Sequence, residues 1–249
     1  MGKFFENLIP KTKYGAIAAT VTPIIIAAGA YVAWSYASRA RKRQRVLSRS
    51  MSVGYLHSGK LALQRLMNYH QARAEPEILD GAENELNTLL QDKHPDFWKL
   101  RSAAAKLEMS GKEAKAVEIL ENEFENARKD QKSHEGYEIE MLLVEMHIYK
   151  GDFRKAFERE CLKDEVISDH RRPLFKAILH ILMSEEHQEE EASQYWEDFD
   201  SIRNDFLWQP IMQEDKLEDV VPNFKEFKEV VNLLKKDIQE AVEAKKTQK

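Results

Sequence analysis

Eight histidines and one cysteine are the side chains from which a metal centre or a nucleophile could be assembled, and their spacing decides whether one is. A helix that binds zinc or a di-iron pair carries His-Glu-x-x-His, or a Glu three residues before a His. Neither occurs at any of the eight. His180 and His187, seven apart, can share a helix face, and with His147 they form the one set from which a metal protein or an enzyme could be argued. Two such histidines on a helix pair are more often surface or hydrogen-bonded residues than ligands. Cys161 and His170 are near only in sequence, with no Gly-rich turn and no third orienting group of the kind an activated thiol needs. A glycine-rich phosphate loop is absent as well. The sequence therefore assigns no catalytic residue, no cofactor, no metal and no small-molecule substrate.

The elements that would have to position any site read as helices. Nine Gly and seven Pro in 249 residues, with 33% charged, leave little room for strands and turns. Apolar residues at helical spacing mark a leading region over 53–94, where Leu56, Leu61, Leu63, Leu66 and Met67 recur. Pro76 opens a second helix there, through Leu86, Leu89 and Leu90. Over 95–206, Pro95 and Asp96 start a helix that ends at Ser110 and Gly111, and another follows at once with Ala116, Val117 and Leu120. The pattern returns. Ile139 to Ile148 lead to Lys150 and Gly151, and Phe153, Ala156 and Phe157 resume. A third first helix opens at Pro173, and its partner carries Ala192, Tyr195, Trp196 and Phe199. Hairpins at roughly 35 to 40 residues predict a stack in which each pair buries its face against its neighbours. The region 207–249 adds a loop, an amphipathic helix through Phe227, Val231, Leu234 and Ile238 that caps the open end, and a tail.

Gly111 with Ala116 and Gly151 with Ala156 place a small residue five positions after the glycine that closes a first helix. In these strings the chain resembles the tetratricopeptide repeat family, over roughly Pro95 to Phe206. The third hairpin departs, with His187 where the glycine stands, but Ala192 keeps the small position and Trp196 the large one. The resemblance implies an all-α, right-handed solenoid whose groove holds a protein partner. The carboxylate clamp of some members is not implied, because Arg101, Ala105, Met141 and Glu145 stand at its places.

The N-terminal fifth is of another kind. After a segment over 1–13, residues 14–37 run without a charge from Gly15 to Trp34, with Pro23, Ile24, Ile25 and Ile26 central. About 20 such residues cross a hydrocarbon core of about 30 Å, so a single transmembrane helix is expected. The basic segment over 38–52, with Arg39, Arg41, Lys42, Arg43, Arg45 and Arg49, leaves the N-terminus outside and the body in the cytosol. Residues 1–50 carry nine Lys or Arg against one Glu, net +8, and the remainder 29 basic and 42 acidic, net −13. An acidic body argues against nucleic acid. A lone cysteine excludes an intrachain disulfide and fits a reducing compartment.

Together these features predict a non-enzymatic interaction scaffold. It is held in the bilayer by one N-terminal helix and presents its groove to protein partners. An Ala-rich span with a basic flank resembles the signal-anchored proteins of mitochondrial and chloroplast outer membranes, the endoplasmic reticulum being the alternative. An assembly or import factor that escorts client proteins is the competing function.

Overall fold

Polar caps and left-handed turns divide the described chain into helices. The structure, a computed structural model, describes residues 59–183, 188–207 and 223–246. The expected transmembrane helix over 14–37 and the basic segment over 38–52 lie outside the described residues, among which no helix is long and apolar enough to cross a membrane. The described residues are all-α, with no strand among them. In order they form α1 (Gly59–Ala74), α2 (Ala82–Leu90), α3 (Phe97–Met109), α4 (Glu113–Lys129) and α5 (Ser133–Lys150). There follow α6 (Phe153–Phe157), α7 (Arg171–Met183), α8 (Gln188–Leu207) and α9 (Phe224–Lys246). Short 3-10 turns at Pro76–Leu79 and Glu160–Leu162 interrupt the series.

The boundaries have local causes. Asp96 caps α3, its carboxylate accepting from the amides of Trp98 and Lys99. Asn223 and Glu226 form a reciprocal capping box at the start of α9, both bonds 3.0 Å long. At the far end of α3, Gly111 takes φ 75°. Its amide donates to Glu108 O and that of Lys112 to Leu107 O, the paired bonds of a Schellman turn. Gly151 repeats this at φ 87° after α5, with Asp152 donating to His147 O. Between them, α4 ends in the same pair of bonds with Gln131 in the left-handed position, φ 57°.

α3 packs on α4 and α5, α5 on α6 and α7, and α7 on α8, so the three hairpins follow one another with their first helices in contact. Ala116, Ala156 and Ala192 are fully buried where second helices approach the core, and Trp196 is nearly so. A smaller cluster of Tyr69, Ala72, Leu79, Ala105 and Met109 joins α1 to α3.

The structure corrects or sharpens the sequence readings in four places. The helix expected from Pro76 to Leu90 is broken at Asp80 and Gly81, because Leu79 turns into the α1 cluster while Leu86 and Leu90 enter the main core. On α1, Leu63 and Met67 of the helically spaced apolar set are turned outward. The buried side is Arg65, Tyr69 and Ala72 instead, since the Arg65 guanidinium pairs with the wholly buried Glu108. Thirdly, the second helix of the middle hairpin, read from Phe153, Ala156 and Phe157, is confined to those five residues. Finally, α9 reaches well beyond the last hairpin. Phe227 stacks on Trp196 at 4.0 Å, Leu234 sits with Ile148, Tyr149, Leu174 and Ile178, and Lys245 Nζ lies 2.5 Å from Glu113 Oε2 at the start of α4.

Candidate interaction site

The early end of α6 shapes a wide, open concavity in the described surface. α4 has 17 residues and α6 five, so the chain leaves the second-helix row after Phe157 and folds back through Glu160–Leu162. What holds it there is Glu140 of α5, whose two carboxylate oxygens accept the amides of Glu160 and Cys161, each at 3.0 Å. Burial raises the Glu140 carboxyl, against those two amides and Arg159. Between α4, the start of α5 and the folded-back turn lies a cleft of about 1110 Å³. Arg128, Lys132, Lys155, Arg159 and Lys163 share its lining with as many acidic side chains, around the rings of Phe124 and Tyr137.

Behind the cleft the polar groups are tied down. Arg159 pairs with Glu121 and lies 2.9 Å from His147 Nε2, which makes that nitrogen an acceptor and puts the imidazole proton on Nδ1. Burial first, then the Arg159 charge, pushes His147 below its ordinary range. Burial drives the Cys161 thiol far upward, helped by Glu140, so it is neither thiolate nor nucleophile at neutral pH. Tyr137 donates to Asp169 Oδ2 at 3.1 Å, and Arg171 is clamped between Asp169 and Glu138, the latter at 2.7 and 2.9 Å. Arg101 of α3 completes the cluster at 3.5 Å from Glu138. These bonds join α3, α5 and α7.

The three histidines that sequence spacing nominated are not brought together. His147 faces Arg159, Glu121 and Asp152. His180 lies between the rings of Phe157 and Tyr195, its Nδ1 3.1 Å from Glu191 Oε2 but off the line of a hydrogen bond. His187 is outside the described residues. Among the described residues no group of three or more His, Cys, Asp or Glu could hold a metal ion. Of the five glutamates Glu185, Glu186, Glu189, Glu190 and Glu191, the first two fall outside the described residues, while Glu189 meets Lys228 of α9 at 2.6 Å. The cleft itself was not visible as a site in the sequence. Its one signal is the turn-forming string from Asp164 to Asp169, which leaves too few residues for a full second helix before Pro173.

No family model, no curated protein and no solved structure matches this chain.

Proposed function

We propose that this chain is a membrane-anchored helical-repeat scaffold that binds other proteins at an organelle surface and performs no chemistry of its own. The repeat reading, a right-handed α-solenoid of tetratricopeptide-like hairpins, draws support from Gly111 and Gly151 in left-handed turns and from Ala116 and Ala156, five residues later and fully buried. The anchor reading draws on the uncharged run from Gly15 to Trp34 and the basic run after it. It places the body in the cytosol, on the outer membrane of mitochondria or chloroplasts.

One observation carries the binding function: the cleft left by the short α6. With a mixed lining of both charge signs around two aromatic rings, it fits a polypeptide segment better than a small molecule, because it is open and carries many charges beside its apolar surface. A photo-crosslinking residue at Lys155 or Phe124 in the full-length chain, in intact cells, tests this. Discrete adducts with polypeptides are expected, one dominant partner for a scaffold and several new proteins for an escort factor. Adducts no stronger than those from an exposed control position such as Glu229 would remove the cleft as a protein-binding site.

A further inference from the structure

The outward stripe on α1 is the strongest feature that the binding cleft leaves unused. Leu63 and Met67, one turn apart, are 61% and 58% exposed, opposite the buried Arg65, Tyr69 and Ala72. Trp98 of α3, 53% exposed, stands beside Gln64 and Asn68 on the flank of the same helix, where Asn68 donates to Ser102 Oγ at 3.2 Å. Three of the six exposed large hydrophobic side chains among the described residues thus gather at this corner.

The charge around the corner is as uneven as the hydrophobicity. Between Glu6 and Glu75 the chain has no Asp or Glu, yet eleven Lys or Arg; within α1 these are Lys60, Arg73 and Arg65, the last neutralised in its buried pair with Glu108. Residues 75–249 hold 26 basic and 42 acidic residues, net −16. Arg73 is exposed at the end of α1, and it lies over the Tyr69 ring at 5.8 Å. An acid-free helix with an apolar stripe, a neighbouring Trp and basic residues has the composition of a helix that lies in a lipid–water interface. The distance also fits. The 21 residues between Ala37 and Gly59 reach at most about 70 Å, long enough for α1 of an anchored chain to touch the bilayer surface.

We propose that the corner made by Leu63, Met67 and Trp98 lies on an anionic lipid surface and fixes how the repeat body faces the membrane. The inference rests on the anchored reading. The apolar stripe sinks among the headgroups, acid-free α1 brings Arg73 to lipid phosphate and serine headgroups, and the acidic remainder of the body is repelled from the same surface. A second copy of the chain or a protein partner on this corner is the competing occupant.

The test uses the full-length chain reconstituted in vesicles of phosphatidylcholine, with and without phosphatidylserine. An environment-sensitive dye is placed at Met67→Cys, and in a separate sample at Leu233→Cys, an exposed position on α9. Lipid contact at position 67 lowers aqueous quenching by about twofold or more on the serine-containing vesicles, is weaker on neutral ones and weakens with salt, while position 233 stays open. Leu63→Glu in the labelled chain removes the protection, with far-ultraviolet circular dichroism unchanged. A chain that resists alkaline washing but whose position 67 is quenched as freely as position 233 overturns the lipid contact and leaves the anchor standing. A chain that washes off overturns the anchor, and shielding of position 67 on anionic vesicles then still decides the surface. Shielding that grows with protein concentration in the absence of vesicles assigns the corner to a second copy and ends the proposal.

Discussion

His180 is nearly buried with no hydrogen bond to either ring nitrogen, held between Phe157 and Tyr195. Its ring is neutral there for a simple reason. Desolvation opposes the imidazolium more strongly than Glu191 at 3.1 Å supports it, and Lys176 adds repulsion, so its pKa falls below the ordinary 6.5. His147 shifts the same way, with Arg159 donating to its Nε2. For such groups the unfolded chain takes up protons first. Their contribution to stability is intact above about pH 6.5 and is lost as the pH falls from there through the lowered folded values. Glu138, Glu140 and Asp169, raised by burial, act in the opposite sense at lower pH, where the folded state holds protons that the unfolded chain has released. His180→Leu removes a buried polar group that has no hydrogen bond to lose, so its stability at about pH 7.5 changes little. Its loss of stability between about pH 7.5 and 6 is smaller than that of the native chain. Urea midpoints at the two pH values measure this, and equal losses in both chains would place the pH response elsewhere. None of this was legible in the sequence, where the spacing of His180 and His187 suggested a shared face and the burying partners come from α6 and α8.

At the scale of elements, three successive turns share one geometry but not one residue. Gly111 and Gly151 occupy the left-handed position at no steric cost, whereas Gln131 holds it at φ 57° with its Cβ crowded against the following carbonyl. Gln131→Gly therefore stabilises the chain by about 0.5 to 1 kcal/mol, once the larger freedom of glycine in the unfolded state is deducted. Gly151→Ala does the reverse. It brings the strain of about 1 to 2 kcal/mol that a left-handed L-residue carries, and its Cβ stands 3.4 Å from Ile238 Cγ2 of α9. Denaturant midpoints of the two variants are expected to move in opposite directions, and a Gln131→Gly chain no more stable than the native one would show that this turn is unstrained. The two glycine turns could be read in advance, because a Gly followed by a small residue five places on has one mechanical meaning in a helix hairpin. The Gln turn could not, since nothing in its residue type announces φ above zero. The cause of the short α6 was equally hidden. The helix ends because Glu140, on another helix, offers both carboxylate oxygens to the amides of Glu160 and Cys161. The reversed face of α1 has the same kind of cause: hydropathy periodicity ranks Leu63 and Met67 above Arg65, and a buried Arg65–Glu108 pair inverts that order.

Across the whole described body, α9 changes how the hairpins depend on one another. A stack whose units touch only their neighbours has a stability that is a sum of local terms, and its ends can fray independently. Here one helix touches three hairpins. Phe227 stacks on Trp196 of α8, Leu234 lies between α5 and α7, and Lys245 reaches Glu113 at the head of α4, 132 positions away in sequence. The buried side chains of Phe227, Val231, Leu234 and Ile238 contribute about 1.5 to 3 kcal/mol each before ordering costs are set against them. Opening the first hairpin therefore strains contacts made to the last. Deletion of residues 223–249 is expected to lower the urea midpoint, to reduce the slope of unfolding as the transition separates into parts, and to raise binding of a hydrophobic dye at the uncovered Trp196 and Ile178. A peptide of residues 223–249 added back restores the midpoint, because the surface it covers is already formed by the hairpins. If the shortened chain unfolds in one transition with an unchanged midpoint, the hairpins hold one another without α9, and the long reach of Lys245 to Glu113 contributes nothing to their cooperation.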